Sequence, residues 1–297
     1  MKVLECIPNF SEGRDLDKVE TVVEEVRKTP GAKLLDYFSD PDHNRSVVTF
    51  IGEPEAVIQA ALRLSLKAIE LIEMRSHTGG HPRIGAVDVV PFVPIREMDM
   101  SHAVRLSREF GRELGEKAAL PVYFYGEAAT DPKRRKLSDI RKGQYEGLEE
   151  KLATPAWEPD AGDRTFNPKS GATVVGARFP LIAFNVNLPT RDLGLAKQIA
   201  KRIRESSGGI PSIQALGVEL QDKGMVQVSM NLTNYRQASI LRALEAIRVE
   251  LSGSRIEIGE TELVGLLPLE ALEEVVRFYL KLPGFDSRQI IETHLLE

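Results

Sequence analysis

Hydrophobic positions in the first third of the chain follow two spacings, one typical of helices and the other typical of strands. Four valines recur at helical spacing between residues 15 and 28, and Pro30 with Gly31 ends the helix that they predict. A second helix is predicted from Pro54 onward, with its apolar residues on one face. Short apolar runs predict strands at 3–9, 32–37, 46–51 and 86–93. The resulting order, βαββαβ, is that of the ferredoxin-like arrangement.

The same order returns in the last third of the chain. Helices are predicted at 192–205 and 240–251, and both carry an apolar face. The strands are predicted at 181–188, 215–220, 226–231 and 256–264. We therefore predict an α+β fold of two ferredoxin-like subdomains related by duplication, with appended helices.

Additional segments lie between and after the two repeats. A helix over 101–119 and a strand over 121–125 are predicted after the first repeat, and two helices split by Pro283 and Gly284 after the second. A proline- and glycine-rich loop at 153–171 is long enough to suggest a function. We place the N-terminal subdomain at 1–178, including this loop, and the C-terminal subdomain at 179–297.

Composition narrows the functional class. The chain has 297 residues, of which 42% are hydrophobic and 28% charged, as in ordinary globular proteins. A net charge of −5 argues against a nucleic-acid partner, which would favour a basic chain. Cys6 is the single cysteine, which excludes an intrachain disulfide, and no apolar run approaches the ~20 residues of a membrane span. These features lead us to expect a cytoplasmic protein without a membrane partner.

The stretch from His77 to Phe92 is the strongest candidate for chemistry. It reads His-Thr-Gly-Gly-His-Pro-Arg-Ile-Gly-Ala-Val-Asp-Val-Val-Pro-Phe, and its glycines and Pro82 oppose a regular helix. His81 therefore lies on a tight loop before a strand, where an imidazole is suited to general acid–base catalysis. Arg83 and Asp88 are candidates to bind an anion or to orient the ring. A structural loop histidine that bonds the backbone is the alternative.

Two other features of the sequence resemble binding sites but are not interpreted as such. His77 and His81 have the spacing of zinc ligands on a helix, but the loop lacks the helix and the general-base glutamate of that motif. We therefore expect no metal, and a metal-dependent hydrolase stays a competing hypothesis. The basic cluster 133–136, which opens a charged stretch running to Lys151, is interpreted as a solvated helix face.

Several long motifs resemble one known family. Besides the His77 motif, they are Cys-Ile-Pro-Asn-Phe-Ser-Glu-Gly at 6–13, Val-Tyr-Phe-Tyr-Gly-Glu-Ala at 122–128, Gly-Ala-Thr-Val-Val-Gly-Ala-Arg at 171–178 and Leu-Ile-Ala-Phe-Asn-Val-Asn at 181–187. In this order they look like glutamate formiminotransferase over about residues 3–285, without the cyclodeaminase that is fused to it in animals.

The resemblance implies a folate enzyme of histidine breakdown. Such an enzyme moves a formimino group between N-formimino-L-glutamate and tetrahydrofolate, its co-substrate, and the family suggests a homodimer. The essential histidine of the family falls on His81. The folate-contacting loop falls on Gly162, Asp163, Arg164, Thr165, Phe166, Asn167, Pro168, Lys169, Ser170 and Gly171. Animal members have an aspartate where this chain has Phe38, and Asp40 is the nearby carboxylate that could replace it.

Substrate contacts are expected from side chains at strand ends and turns. Arginines suit the two carboxylates of glutamate, because a guanidinium binds a carboxylate with two parallel hydrogen bonds. The expected substrate-binding residues are Asn9, Asp40, Arg45, Arg83 and Arg178. Two alternatives remain: transfer of a formyl instead of a formimino group on the same scaffold, and a non-catalytic module that binds folate or an amino acid.

Overall fold

The computed structural model describes residues 1–296, which form two compact units that divide between Arg178 and Phe179. Each unit combines a β-sheet with α-helices, so the fold is mixed α and β. Within the described residues, no helix is both long and apolar enough to cross a membrane.

The first unit is built on one large sheet. Its elements are β1 Val3–Cys6, β2 Asn9–Phe10, α1 Leu16–Arg27, β3 Ala32–Asp40, β4 Arg45–Gly52, α2 Pro54–Leu71, β5 Val87–Arg96, α3 Met100–Ala118, β6 Val122–Gly126, α4 Leu137–Ile140, α5 Leu148–Ala153 and β7 Thr173–Ala177. Across the sheet, β3 pairs with β4, and β4 with β1 and β2, which in turn pair with β5. These pairs are antiparallel, whereas β7 and β6 extend the sheet beyond β5 by parallel pairing.

The predicted first strand, 3–9, is interrupted in the structure. Because Pro8 has no N–H group, it cannot donate a hydrogen bond to a neighbouring strand. The chain forms β1 before it and β2 after it, and both strands pair with β4 and β5. The sheet is also wider than the predicted four strands, because β6 and the unpredicted strand β7 join it.

The two faces of this sheet are covered differently. On one face, α1, α2 and α3 bury a continuous apolar core that includes Leu4, Cys6, Phe10 and Phe92. On the other face, the segment with α4 and α5 covers the β6 and β7 end, where Tyr123 and Val174 pack with Leu148. The β1, β2 and β4 end of that face carries half-buried side chains, among them those of Asn9 and Arg45.

The second unit has a four-stranded sheet. Its elements are β8 Ile182–Leu188, α6 Leu193–Ile203, β9 Ile213–Leu220, β10 Met225–Leu232, α7 Ile240–Leu251, β11 Thr261–Val264 and α8 Glu270–Tyr279. The strand order is β11-β8-β10-β9, all antiparallel, which matches the order β5-β1-β4-β3 of the first sheet. Asp15 and Asp192 cap the first helix of each unit by accepting a backbone N–H, as their shared Arg-Asp-Leu sequence suggests.

Two predicted elements of the second unit are wrong in extent. The last strand is limited to 261–264 instead of 256–264. The second C-terminal helix is not an α-helix: beyond α8, the chain forms two 3₁₀ helices, at 287–289 and 291–296. Pro283 and Gly284 account for the break, because both residues oppose helix continuation.

Candidate active site

The loop that carries the two histidines packs tightly against the turn between β3 and β4. The N–H of Gly80 donates to the carbonyl of Asp42 at 3.2 Å, and the amide of Asn44 donates to the carbonyl of Thr78 at 2.9 Å. A Cβ at Gly79 would lie 2.3 Å from the carbonyl oxygen of His43, so only glycine permits this approach. The backbone therefore fixes where His81 stands relative to β4.

His81 lies between an arginine and a buried carboxylate. Nη1 of Arg45 is 3.3 Å from both ring nitrogens of His81, so the guanidinium lies against the imidazole. On the other side, Oδ2 of Asp88 is 3.8 Å from Nε2, which is an electrostatic contact and too long for a hydrogen bond. The side chain of His81 is 12% exposed, so part of it is accessible to solvent.

Asp88 is held rigidly beneath this ring. Its Oδ1 accepts the backbone N–H of Ile84 at 3.0 Å, and its Oδ2 forms an ion pair with Nη2 of Arg141. Burial would raise the pKa of the Asp88 carboxyl, but Arg141 together with His81 and the Ile84 N–H outweighs this, and the pKa is lowered. Asp88 is therefore an anion in the folded protein.

The surroundings of His81 favour its neutral form. Burial lowers the pKa of the imidazole, Asp88 opposes that effect, and the charges of Arg45 and Arg141 lower the pKa further. The net shift is below the ordinary value of a histidine. At neutral pH the ring is thus mostly unprotonated and available to accept a proton.

His77 has a different set of partners. Its Nε2 donates to the carbonyl of Asn44 at 2.9 Å, and its Nδ1 accepts from Nε of Arg83 at 3.2 Å. Both ring nitrogens are therefore used within the protein, and the one free lone pair of the ring, on Nδ1, accepts from Arg83. Within residues 1–296, no group of three or more His, Cys, Asp or Glu side chains is arranged to hold a metal ion.

Arg83 is nearly buried and fully occupied. It donates twice to Glu146, at 2.9 and 2.6 Å, and also to Gln144 at 3.1 Å and to the ring and carbonyl of His77. These bonds tie the histidine loop to the 144–146 segment. They favour a structural role for this side chain over the predicted substrate contact.

Asp40 contacts a third histidine instead of His81. Its Oδ2 accepts from Nδ1 of His43 at 2.6 Å, and its Oδ1 accepts the backbone N–H groups of Asp42 and His43. These bonds, above all the one from the His43 N–H, lower the pKa of the Asp40 carboxyl. The ring of His43 stands edge-on to that of His81, with 6.3 Å between their centroids.

The other two predicted substrate residues lie on or beside the first sheet. Asn9 is half-buried on β2, and its side-chain amide donates to the carbonyl of Ile7 at 3.1 Å. Arg178 follows β7, where its charge acts on the pKa values of Glu5 and Tyr125. The structure thus brings Arg45 directly to His81, whereas Arg178 interacts with a different set of side chains.

The predicted folate loop, 162–171, ends beside the histidine loop. The carbonyl of Ser170 accepts the N–H of Ala86 at 2.8 Å, and Gly171, with a φ of 68°, forms a bridge with Gly85. At Gly85, a Cβ would lie 2.2 Å from the carbonyl oxygen of Ala172, so the two segments need glycine to pack this closely.

The exposed part of the predicted folate loop carries its charged residues. Residues 162–165, 168 and 169 are exposed. The side chain of Asn167 accepts the N–H groups of Lys169 and Ser170, and the ammonium of Lys169 donates to the carbonyl of Glu70 at 2.8 Å. Phe166 packs on Tyr145, with 5.6 Å between ring centroids.

Sequence reasoning missed the segment 141–146, which joins the two loops. Arg141 pairs with Asp88, Gln144 and Glu146 bond Arg83, and Tyr145 contacts Phe166 and donates to the carbonyl of Pro168. The solvated face predicted for 133–136 is confirmed for Lys133, Arg135 and Lys136, which are exposed, and is wrong for Arg134, which is buried and pairs with Asp160. One feature of the sequence could have drawn attention to this segment. Gly143 and Gly147 flank Tyr145, the single aromatic residue of the polar stretch 133–151.

The second unit carries a cluster of amides on the sheet face opposite its helices. Asn185, Asn187 and Gln227 are buried, and they alternate along β8 and β10 with the apolar residues of the core. Gln227 donates to Asn187 at 2.9 Å, and Asn185 donates to Glu262 at 3.0 Å. Gln227 also donates to Glu262 at 3.3 Å, so the four polar side chains form one hydrogen-bonded cluster.

The chain is similar to known proteins over nearly its whole length. Residues 3–178 match the family model described as Formiminotransferase domain, N-terminal subdomain, and residues 183–293 match the model described as Formiminotransferase domain. A glutamate formimidoyltransferase of Streptococcus pyogenes serotype M1 is 44% identical over 99% of both chains. A second one, of Thermoplasma acidophilum, is 45% identical over 98% of this chain and 97% of its own.

Longer relatives match over part of their length. The formimidoyltransferase-cyclodeaminase of Rattus norvegicus is 42% identical over 94% of this chain, which covers 52% of the rat protein. The match to this chain is therefore confined to about half of the longer protein.

Proposed function

Because this chain belongs to the formiminotransferase family, we propose that it transfers a formimino group between N-formimino-L-glutamate and tetrahydrofolate, with His81 as the general acid and base. It is a transferase, as are the two glutamate formimidoyltransferases that it matches over nearly their full length. Histidine degradation, which yields formiminoglutamate, is the pathway that fits this activity.

The observation that carries the proposal is the setting of His81. Its ring is partly accessible, it lies against Arg45 and near Asp88, and its pKa is below the ordinary value because of burial and the two arginines. An enzyme that must remove a proton from an amine at neutral pH needs such an unprotonated base. Asp88 then stabilises the imidazolium that forms, as an anion beside a cation.

The transfer needs one proton to move between two nitrogens. The N5 amine of tetrahydrofolate attacks the formimino carbon, and a tetrahedral intermediate forms. His81 accepts the proton from N5 and delivers it to the glutamate nitrogen, whose bond to the carbon then breaks. The products are glutamate and 5-formiminotetrahydrofolate, so atoms and charge balance without another reactant.

Ligand contacts follow from the same arrangement. We assign the folate to the 162–171 loop, whose end lies beside residues 84–86 and whose exposed part carries Arg164 and Lys169 for an acidic tail. Arg45 is assigned to a substrate carboxylate because its guanidinium is adjacent to His81. Asn9 and Arg178 remain assigned to substrate, while Arg83 and Asp40 act through the loops that they hold.

The proposal also covers the domain organisation, the oligomeric state and the location of the protein. The two units share a strand order and an aspartate cap on their first helix, which supports two ferredoxin-like subdomains related by duplication, N-terminal to about 178 and C-terminal from 179. A homodimer is proposed from the family alone. We also propose a cytoplasmic location, where folate and formiminoglutamate would be available.

The test is a direct assay of the group transferred. Purified protein is incubated with tetrahydrofolate and either N-formimino-L-glutamate or N-formyl-L-glutamate, and the released glutamate and the new folate are measured by mass spectrometry. We expect turnover with the formimino donor. We also expect His81→Ala to lose it while the variant still folds and binds folate.

Two results would contradict the proposal. Faster turnover of the formyl donor would indicate a formyltransferase on this scaffold. Binding of folate without turnover of either donor would indicate a binding module, and His81→Ala would then leave the ligand response unchanged.

A further inference from the structure

Two guanidinium groups face one histidine, with a single carboxylate between them. Arg45 lies 3.3 Å from the ring nitrogens of His81, and Arg141 pairs with the same Asp88 oxygen that lies 3.8 Å from His81 Nε2. Asp40, the other carboxylate that acts on Arg45, is engaged with His43. Arg45, Arg141 and Asp88 together carry one net positive charge when His81 is neutral.

Both arginines also have unused hydrogen-bond donors. The Nε atoms of Arg45 and Arg141 are buried, and neither has a hydrogen-bond partner in the protein. An unpaired buried N–H is unfavourable, and in native structures such a group is explained by strain, by a catalytic role or by a bound water or ion. Here the two unpaired groups belong to the two arginines beside His81, which favours a bound anion at this place. Burial and the charge of Arg141 lower the pKa of Arg45, which an added anion would reverse.

The chemistry of the proposed reaction specifies which anion fits. His81 must deliver its proton to the glutamate nitrogen, and that nitrogen is bonded to the carbon that carries the α-carboxylate. When the nitrogen is within reach of His81, the α-carboxylate is therefore adjacent to it as well. The γ-carboxylate is separated from the same nitrogen by the whole side chain.

We propose that Arg45 and Arg141 together bind the α-carboxylate of the glutamyl substrate, so that this pair selects α-amino-acid donors. The inference rests on the proposed formimino transfer and adds to it a specificity and a residue, Arg141, that was not expected from sequence. A guanidinium pair suits a carboxylate, because each can present parallel N–H groups to its oxygens. Arg83 is excluded from this task by its bonds to Glu146, Gln144 and His77.

The experiment uses three formimino donors with tetrahydrofolate. N-formimino-L-glutamate has both carboxylates, N-formimino-4-aminobutyrate lacks the α-carboxylate, and N-formimino-L-2-aminobutyrate lacks the γ-carboxylate. Wild-type protein is compared with Arg45→Met, Arg45→Lys and Arg141→Met. Arg105→Met removes an exposed arginine that pairs with Glu109 on α3, and it serves as the matched control.

For wild type, we expect kcat/KM for the 4-aminobutyrate donor to be about 10²-fold or more below that for glutamate, because buried donors are left unpaired. In Arg45→Met and Arg141→Met, kcat/KM for the glutamate donor should fall close to that for the 4-aminobutyrate donor. The 2-aminobutyrate donor, which lacks the γ-carboxylate, should remain a poorer substrate than glutamate. The loss for glutamate should appear mainly in KM, since the carboxylate is bound in both ground and transition states. Arg45→Lys should restore part of the discrimination, and Arg105→Met should behave as wild type.

Thermal unfolding identifies a variant that fails to fold. Arg141→Met is the variant more prone to unfold, because it leaves the buried Asp88 without its ion pair. If it does not fold, the kinetics of Arg45→Met test the carboxylate assignment. Discrimination that is unchanged in folded Arg45→Met would overturn the carboxylate assignment, and so would a wild type that uses both donors equally. No transfer by wild type from any of the three donors would instead overturn the proposed function, together with this inference.

Discussion

The two ends of the histidine loop place the same side chain in opposite circumstances. At one end, His77 uses both ring nitrogens inside the protein, bonding the carbonyl of Asn44 and accepting from Arg83. At the other end, His81 lies against a guanidinium and near a carboxylate, and its ring reaches solvent. Burial lowers the pKa of both rings, so the pKa shift alone does not distinguish them.

The two rings differ in the partners of their nitrogen atoms, and from this difference we infer different roles for the two histidines. His77 fixes the start of the loop through Arg83, which in turn bonds Gln144 and Glu146. The neighbours of His81 are instead the charged side chains of Arg45 and Asp88. We therefore propose that the loop has a positioning end at His77 and a reacting end at His81.

The largest expected effect comes from exchanging each histidine for glutamine. We expect His81→Gln to lower kcat by about 10²–10⁴-fold, the usual contribution of general acid–base catalysis, with little change in stability. His77→Gln should instead lower the free energy of unfolding by about 1–2 kcal/mol, the scale of a lost hydrogen bond, and keep most of the turnover per folded molecule. Steady-state kinetics and denaturant unfolding of both variants measure these two effects. Equal losses of kcat in the two variants would contradict the different roles inferred for the two histidines.

Removing Arg83 tests the positioning end by itself. Arg83→Met should lower the free energy of unfolding by about 1–3 kcal/mol, because the buried guanidinium bonds His77 and an exposed glutamate that solvent screens. Arg75→Met is the matched control, since Arg75 is exposed and pairs only with the neighbouring Glu73. Urea unfolding that shows the same small loss for both variants would argue against a structural role for Arg83.

The smallest expected effects are pKa shifts at the reacting end. Arg45 lowers the pKa of His81 and Asp88 raises it. Arg45→Met should therefore move the pKa of His81 upward, whereas Asp88→Asn should move it further down. NMR titration of the five histidines measures this in the free protein, with His77 expected to change less in both variants. Shifts of His81 in one common direction would contradict the assigned electrostatics.

Periodicity predicted most of the elements because most of them are amphipathic. The helix with Val19, Val22 and Val26 buries one face, and the structure places it at 16–27. By contrast, β7 was missed because it pairs in parallel with two neighbours and every one of its residues is buried, so no alternation is present. A short continuous apolar run does not by itself distinguish a buried strand from a buried helix segment.

The site was predicted in part for a similar reason. A glycine-rich loop with histidines is visible locally, so His81 could be chosen from the sequence together with Asp88. Arg141 is 53 positions from Asp88, and its ion pair depends on how the 137–153 segment folds over the sheet. Asp40 was expected to bind substrate. In the turn after β3, however, its carboxylate accepts hydrogen bonds from the ring and backbone of His43. Long-range pairing of charges is not encoded in local pattern.

Chemical rescue of the missing imidazole tests whether the His81 ring itself carries the proton. His81→Ala leaves a space beside Arg45 and Asp88 that an added imidazole can enter, since the native ring is partly exposed. Single-turnover transfer from N-formimino-L-glutamate to tetrahydrofolate is measured with increasing imidazole for this variant and for His77→Ala. We expect imidazole base to restore transfer in His81→Ala and to have no effect in His77→Ala. Transfer at the wild-type rate by His81→Ala without imidazole would contradict it.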